Sequence, residues 1–277
     1  MKILLIEPFF TGSHKSWCEG FVANSRHEIK IMSLEGRYWK WRMHGGAVIL
    51  ARQINETDWQ PDLLLASDML DLAAFSALLP KRFRGIPKAI YFHENQLTYP
   101  WSPQDADVAK GRDGHYAFIN YTSALVADKV FFNSEFHKNA FLEELPKFLK
   151  VFPDYQPLET VAEIAQKSQV LPLGLSLTHL QASSPIGREP NAKPLILWNH
   201  RWEYDKNPDD FFQVLFDLAD KDYDFEVAIL GEKYRKYPKI FDKAFERLGA
   251  KIVHFGYAES FSEYTKWLWK ADILPVT

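Results

Sequence analysis

The first half of the chain alternates between short apolar runs and longer stretches with helical spacing. The apolar runs predict strands at residues 3–6, 28–33, 62–66, 88–92 and 129–133. Helical patterns follow them at residues 15–23, 47–54, 70–79, 115–127 and 136–145. Because strands of a parallel sheet are buried on both faces, this alternation predicts a doubly wound α/β domain.

A second alternating series begins after a proline-rich stretch. Residues 169–173 form the last predicted strand of the first series, and the small, polar and proline-rich residues 183–194 predict a linker. Strands are then predicted at 195–199, 225–230, 251–255 and 272–276, with helices at 209–219, 238–248 and 259–270. The sequence thus predicts two Rossmann-like domains, at residues 1–182 and 195–277.

The second predicted domain is short and ends on a strand that no helix covers. Doubly wound domains seldom end in this way, because an exposed apolar strand is prone to association. We therefore expect the chain to be a fragment whose second domain is cut short, and we expect the fragment alone to be inactive. The alternative is a small natural domain with an exposed last strand.

Composition excludes several classes of protein. The formal net charge of -3 gives no overall basic field of the kind that attracts nucleic acids. A single cysteine, Cys18, excludes an internal disulfide framework and fits a reducing compartment. Glu7 and Pro8 interrupt the first apolar run, and no run approaches the ~20 residues of a membrane span. We expect a soluble, cytoplasmic protein, and the sequence leaves its oligomeric state open.

The turn at residues 199–208 carries the clearest chemical signal. Arg201 and Lys206 lie between a predicted strand and a predicted helix, where open α/β sheets bind ligands. Asn207 is expected to cap that helix, and Pro208 suits its first turn. Two cations beside the free N–H groups of a helix would hold a diphosphate. The alternative is a pair of solvated cations on a loop.

Several turns resemble those of retaining nucleotide-sugar glycosyltransferases with the GT-B architecture, which is built from two doubly wound domains. Arg201 and Lys206 resemble the cation pair that these enzymes place on the donor diphosphate. Gly12, Ser13 and His14 resemble the glycine loop of these enzymes, and His93 resembles their histidine near the transferred sugar. Gly231–Glu232 and Gly256 resemble their glycine turns. The resemblance implies an acceptor-side first domain and a nucleotide-sugar-binding second domain.

Four motifs together are similar to the tRNA-queuosine α-mannosyltransferase family. They are residues 6–15, 92–97, 132–134 and 200–203. The resemblance implies mannose transfer from GDP-mannose to the queuosine base of tRNA(Asp). One departure is that the acidic motif of the family's second domain is not present before Thr277. The alternatives are a GT-B enzyme with another sugar donor and a glycan or small-molecule acceptor, and a non-catalytic sugar-nucleotide or RNA-binding protein.

Retaining transfer in this architecture depends on stabilising negative charge on the leaving phosphate. Arg201 and Lys206 are the expected source of that stabilisation. His93 is expected to bond a sugar hydroxyl or orient the acceptor, and Glu94 to act as a base or an orienting group. The alternative for His93 is a histidine at a strand end whose hydrogen bonds are satisfied within the protein. The alternative for Glu94 is a surface ion pair. His14 is expected to contact an anion, or else to be ordinary surface charge.

Cations and flat aromatic rings alternate in one segment of the first domain. Its members Arg37, Trp39, Lys40, Trp41 and Arg42 are expected to hold phosphates and stack on the bases of tRNA. The alternative is that the tryptophans are buried while the cations reach outward. A second basic cluster, at residues 81–88, we interpret as a solvated face.

Two short acidic patterns, Asp105–Asp107 and Asp222–Asp224, match the motif of metal-dependent glycosyltransferases. Both lie in predicted turns, and we interpret them as solvated. The chain has neither a cysteine pair nor a His-Glu-x-x-His helix with metal-ligand spacing. We therefore expect no metal cofactor, with the nucleotide sugar serving as a substrate.

Overall fold

The computed structural model describes residues 1–102, 105–110, 114–175, 177–182, 189–233 and 236–276. The chain divides into two compact units, Met1–Leu175 and Ser176–Thr277. Residues 183–188 of the predicted linker lie outside the described residues, so its bounds stay a prediction. Within the described residues, no helix combines the length and the apolar character that a membrane span requires.

The first unit is built on a six-stranded sheet in which all neighbouring strands are parallel. The strand order is β2-β1-β3-β4-β5-β6. The strands are β1 (Lys2–Phe10), β2 (Glu28–Glu35), β3 (Leu63–Ser67), β4 (Lys88–Phe92), β5 (Lys129–Phe132) and β6 (Ser168–Val170). The helices are α1 (Gly12–Asn24), α2 (Trp39–Gln53), α3 (Leu72–Leu78), α4 (Ala106–Ala109), α5 (Gly114–Val126), α6 (Glu135–Leu149) and α7 (Glu159–Lys167).

Both faces of the first sheet are covered, which explains the continuous apolar runs. Along β1, Leu4 and Ile6 pack into the cluster that contains residues of α2, α3, α5 and α6. Ile3 and Leu5 point the other way and pack with Cys18 of α1. Because successive side chains of a strand alternate between faces, every residue of such a run is buried.

The second unit has a three-stranded parallel sheet in the order β7-β8-β9. The strands are β7 (Leu195–Asn199), β8 (Glu226–Leu230) and β9 (Ile252–Gly256). The helices are α8 (Thr178–Ala182), α9 (Pro208–Asp220), α10 (Ile240–Leu248) and α11 (Phe261–Lys270). One face packs on α9 and α10 and the other against residues of α11. The doubly wound α/β fold predicted for each half is therefore confirmed.

Two buried tryptophans fix the turn that follows β7. The indole N–H of Trp198 donates to the carbonyl of His200 at 2.9 Å, and that of Trp202 donates to the carbonyl of Leu230 at 3.1 Å. The Trp202 ring also stacks on Phe241 with 4.5 Å between ring centroids. The turn carrying Arg201 is thereby joined to the end of β8.

The structure corrects the predicted boundaries at two places in the first unit. Residues 7–10 continue β1 and residues 12–14 begin α1, so the strand predicted at 3–6 and the helix predicted at 15–23 are both too short. Helix α2 begins at Trp39, whereas the sequence placed the helix start at Ala47. In both cases the polar residues at the element's end hid its true length.

Other elements differ from the prediction as well, and the short helices α4 and α8 are among those that were not predicted. Helix α7 was not predicted, because the prolines around it masked its helical spacing. The predicted strand at residues 272–276 is reduced in the described chain to a single bridge, Ile273 with Ile196 of β7.

We predict that Gly231→Ala destabilises the second unit. Gly231 has a φ of +119°, and a Cβ there would lie 1.9 Å from the carbonyl oxygen of His200. Since the steric conflict is with backbone, the free energy of unfolding should fall by about 2 kcal/mol or more. Urea denaturation measures the change.

The matched control is Gly20→Ala, because a Cβ there meets no atom within 4 Å and Gly20 lies inside α1. That change should stabilise the chain slightly. Equal stability of Gly231→Ala and the wild type would contradict the steric argument.

Candidate functional site

Ionisable side chains gather where neighbouring strands β1, β3 and β4 end. Glu7 lies near the end of β1 and His14 in the first turn of α1. Asp68 follows β3, and His93 follows β4. Because these strands are adjacent and parallel, the residues that follow them meet at one edge of the sheet. His14 and His93 are in contact there, with 4.5 Å between ring centroids.

Glu7 and His14 form a buried ion pair. The Glu7 side chain is fully buried, and its Oε2 lies 3.0 Å from Nδ1 of His14. Its Oε1 accepts the backbone N–H of Phe9 at 2.8 Å. Burial by itself would lower the pKa of His14, but the hydrogen bond with Glu7 and its charge raise that pKa to about 9. His14 is therefore an imidazolium at neutral pH.

Asp68 and His93, in contrast to His14, favour their neutral forms. Burial raises the pKa of the Asp68 carboxyl to about 8, although the nearby charge of His14 lowers it. Burial, together with His14 and His137, lowers the pKa of His93 to about 3. His93 is therefore neutral at pH 7. Its buried Nε2 has no hydrogen-bond partner among the described residues, which is uncommon for a buried polar atom.

Buried amides hold the loop that follows β4. The backbone N–H of His93 donates to Oδ1 of Asp68 at 2.9 Å, and its carbonyl accepts from Nδ2 of Asn133 at 2.8 Å. Asn120 donates to the Asp68 carbonyl at 3.0 Å and accepts the backbone N–H of Gln96 at 2.7 Å. These bonds come from three elements, so the loop has one well-defined conformation.

The remaining predicted residues at this edge of the first sheet are accessible. Gly12 and Ser13 are exposed, and the preceding Thr11 makes no side-chain cap to α1 within the described chain. The first-turn N–H groups of α1 are thus free to meet an anion. Glu94 is half-buried, and its Oε1 accepts from Nε2 of Gln96 at 3.2 Å.

One group of side chains at this edge of the first sheet has the composition of a metal site. Glu7, His14 and His93 each bring one possible ligand atom, and these atoms lie within 4.8 Å of one another. Both Glu7 oxygens already accept hydrogen bonds, from Phe9 and from His14. Both carboxylate oxygens of Glu7 therefore have hydrogen-bond partners within the protein.

The basic and aromatic segment lies partly in α2. Trp41 is 58% exposed and Tyr38 is 73% exposed, whereas Trp39 is half-buried against Met43 and its neighbours. Arg37 pairs with the Glu35 carboxylate at 2.9 Å, and Arg42 donates to the Glu35 carbonyl at 2.9 Å. The structure thus leaves two aromatic rings and Arg37 on the surface.

Lys40 has a different environment from its neighbours in that segment. Its ammonium donates to Asp105 at 2.6 Å and also to Asp107. The interpretation of Asp105–Asp107 as a solvated turn is therefore wrong. Asp105 instead caps α4 by accepting the N–H of Asp107, and both carboxylates pair with a cation from a distant part of the sequence.

The second unit has a cavity of about 450 Å³ where its strands end. Arg201 lies on its wall after β7, and Gly231 with Glu232 after β8. The aromatic side chains Tyr257 and Phe261, both more than half exposed, line it on the side of β9 and α11. Among the described residues, Lys206 and Gly256 do not line this cavity.

Both predicted cations have carboxylate neighbours. The Arg201 guanidinium lies 3.3 Å from Glu203, and the Lys206 ammonium lies 2.8 Å from Asp205. Burial raises the pKa of Glu203, while the charge of Arg201 lowers it. The Asp205 side chain is almost fully buried, and Lys206 is its ion-pair partner.

The expected cap of α9 is wrong. Asn207 adopts a left-handed conformation with a φ of 49° and makes no side-chain cap bond within the described chain. Its Nδ2 instead donates to Asp210 at 2.9 Å. Pro208 does occupy the first turn as predicted. At the cavity itself the nearby helix start is that of α11, which Ser260 caps by accepting the N–H of Glu263.

Sequence reasoning missed the two buried carboxylates Glu7 and Asp68. A signal was present for each of them. Glu7 is the first charge inside an otherwise apolar strand, and Asp68 directly follows another buried strand. A charge at such a position is rarely buried without a partner, so each indicated a polar site.

We predict that Glu7→Gln lowers the pKa of His14 from about 9 to below its ordinary value, because burial remains while the anion is lost. Titration of the ring protons of His14 by NMR measures this. A raised folded-state pKa means that the stabilisation by the ion pair is complete below pH ~6.5 and is lost as the pH rises through about 9.

The control for this titration is Glu19→Gln, which removes an exposed carboxylate from the same helix as His14. It should leave the midpoint of His14 where it is in the wild type. An unchanged midpoint in Glu7→Gln would show that Glu7 is not the source of the shift.

Comparisons with known proteins show which family this chain is similar to. Residues 2–175 match a sequence model described as tRNA-queuosine alpha-mannosyltransferase N-terminal. The tRNA-queuosine alpha-mannosyltransferase of Drosophila melanogaster is 36% identical over 279 residues, which cover 98% of this chain and 72% of that protein.

Solved structures show the same fold at low sequence identity. A structure from E. coli with bound UDP-2-fluoro glucose, named for trehalose-6-phosphate, has a TM-score of 0.64 and 12% identity, over 100% of this chain and 78% of that one. A UDP-forming trehalose-phosphate synthase from Burkholderia xenovorans has a TM-score of 0.60 and 12% identity, over 99% and 77%. The chain therefore belongs to the tRNA-queuosine alpha-mannosyltransferase family and is a glycosyltransferase with the GT-B fold.

Proposed function

We propose that this protein transfers mannose from GDP-mannose to the queuosine base of tRNA(Asp), with retention of the anomeric configuration. Its family membership supports the queuosine acceptor and the mannosyl group. The structural observation that carries the proposal is Arg201, which lies on the wall of a cavity at the carboxyl ends of β7 and β8. A guanidinium at that position is suited to a diphosphate.

The reaction breaks the bond between the anomeric carbon and the β-phosphate oxygen of the donor. A hydroxyl of the queuosine base forms the new bond to that carbon, its proton passes to the departing phosphate oxygen, and GDP leaves. Arg201 and Lys206 stabilise the charge that develops on the phosphate. We expect the first-turn N–H groups of α1, at Gly12 and Ser13, to bind an anionic group of a substrate.

The first unit orients the sugar and the acceptor. His93 is neutral and offers its buried Nε2 to a sugar hydroxyl. His14 is positively charged and favours an anion beside it. Glu94, on the same loop as His93, accepts a hydrogen bond from the attacking hydroxyl or orients it. The glycines Gly231 and Gly256, together with Glu232, keep the turns after β8 and β9 close to the donor.

Transfer by this arrangement needs no metal, because cationic side chains and helix N–H groups neutralise the leaving phosphate. A chelator such as EDTA should then leave the rate unchanged. We also propose a cytoplasmic location, which the single cysteine supports, since Cys18 is buried and in its thiol form.

The direct test is a transfer assay on the full-length gene product. Radiolabelled GDP-mannose is offered with tRNA that contains queuosine and with tRNA that lacks it. We expect label only on the tRNA with queuosine. Label on neither would exclude this acceptor and direct the search to glycans and other sugar nucleotides, and donor binding without any transfer would favour a binding protein.

Loss of the guanidinium should slow turnover strongly. Arg201→Ala removes charge stabilisation of about 3 kcal/mol, which corresponds to about a 100-fold lower kcat. Lys206→Ala should have a similar effect. Arg201→Lys should have an intermediate effect, because lysine keeps the positive charge but lacks the planar guanidinium with its paired N–H donors. Steady-state kinetics measures these changes.

The control is Lys221→Ala, which removes an exposed cation at the other end of α9. Its kcat should equal that of the wild type. Near-normal rates in both Arg201→Ala and Lys206→Ala would refute the diphosphate assignment.

The surface formed by Arg37, Tyr38, Trp41 and Arg42 is the proposed contact for tRNA. Arg37→Ala combined with Trp41→Ala should weaken tRNA binding and reduce the salt slope of log K by about 1, the value for one lost phosphate contact. Fluorescence anisotropy at several salt concentrations measures both. Lys40 is left intact, because its partners Asp105 and Asp107 make its loss a structural change.

Tyr223→Ala serves as the control, since it removes an exposed aromatic ring from the second unit. Its tRNA affinity should match that of the wild type. An unchanged affinity in the double variant would remove this surface from the RNA interface.

A further inference from the structure

Another cavity, of about 340 Å³, lies within the first unit. The loop after β4 contributes Gln96 and Trp101 to its wall, the start of α5 contributes Ala117, and the end of α6 contributes Phe148. It lies outside the cluster of Glu7 and His14. Its volume is that of a small-molecule site.

Two aromatic ring systems and a small residue shape this cavity. The indole of Trp101 and the phenyl ring of Phe148 both line it. Gly114 also lines it, and a Cβ there would lie 3.6 Å from the Phe148 ring, so the glycine keeps that part of the ring uncovered. Aromatic walls of this kind bind a flat heteroaromatic base by stacking.

The polar groups on the wall have a specific pattern. Glu144 and Lys147 lie one turn apart on α6, with their charged atoms 2.8 Å apart. The Watson–Crick edge of guanine presents two neighbouring donors, the ring N–H and the amino group, followed by the O6 acceptor. A carboxylate accepts from two donors, and an ammonium donates to O6. The adjacent pair therefore matches guanine, whereas adenine presents a different edge.

Gln96 connects the cavity to the proposed catalytic loop. Its side chain is 7% exposed and lines the cavity, and its Nε2 donates to Oε1 of Glu94 at 3.2 Å. The Gln96 backbone is held by Asn120. A ligand in the cavity thus contacts the loop segment that carries His93 and Glu94.

We propose that this cavity binds the base of the acceptor nucleotide, a guanine-type base with its Watson–Crick edge on Glu144 and Lys147 and its ring against Trp101 or Phe148. The assignment rests on the proposed function, because the base of queuosine is a substituted 7-deazaguanine that keeps the guanine edge. A base read in this way must be unpaired, so the acceptor is a single-stranded nucleotide of the RNA.

Saturation-transfer NMR with free queuosine nucleoside tests the cavity without any transfer step. Val151→Trp fills the mouth from a position that is 80% exposed, so the fold should be kept. Glu144→Gln replaces one of the two acceptor oxygens by an amide donor, so the side chain no longer accepts from two donors side by side. Each should weaken nucleoside binding at least 10-fold, and adenosine should bind the wild type at least 10-fold more weakly than queuosine.

The matched control is Val214→Trp, at an exposed position of α9 in the second unit, which should bind the nucleoside as the wild type does. Three results would each overturn the assignment: no saturation transfer to the wild type, equal binding by Val151→Trp, or equal binding of adenosine.

Transfer assays on the same samples separate the two claims. If the nucleoside binds and Val151→Trp abolishes binding, but the wild type transfers no mannose, the proposed function fails and the cavity assignment stands. If Val151→Trp transfers mannose with an unchanged KM for tRNA, the cavity assignment fails and the proposed function stands.

Discussion

The buried contact between Glu7 and His14 is the interaction on which the chemistry of the first unit depends. A carboxylate with no exposed surface is costly unless charge and hydrogen bonds compensate for it. His14 supplies the charge at 3.0 Å, and the Phe9 N–H supplies a hydrogen bond. Burial lowers the pKa of the neighbouring His93, and the charges of His14 and His137 lower it further, so His93 stays neutral. Two adjacent histidines thus differ in charge, because Glu7 raises the pKa of His14 while burial dominates at His93.

The second unit positions Arg201 by packing. Trp202 is buried against Phe241 and bonded to the Leu230 carbonyl, so the turn of β7 cannot move independently of β8. Gly231 permits this close approach, since any side chain there would strike the His200 carbonyl. Arg201 lies between His200 and Trp202 in this anchored turn, and its side chain lines the cavity. The aromatic residues of this turn hold its backbone in place.

How well the sequence predicts a feature depends on how far apart in the sequence the interacting residues are. Continuous apolar runs such as residues 3–6 predicted the parallel strands, because burial on both faces is a local property of the sequence. The position of Arg201 after a strand was predictable for the same reason. The pairing of Lys40 with Asp105 and Asp107 was not, because it joins residues about 65 positions apart. Similarly, Asp68 meets His93 only because β3 and β4 are neighbours in the sheet.

We propose that the turn between β7 and α9 binds the leaving diphosphate. A crystal structure of the full-length protein with bound GDP would show where the diphosphate lies. We expect phosphate oxygens about 3 Å from the Arg201 guanidinium, beside the turn at Gly231. A diphosphate bound away from Arg201, with the cavity of the second unit empty, would contradict it.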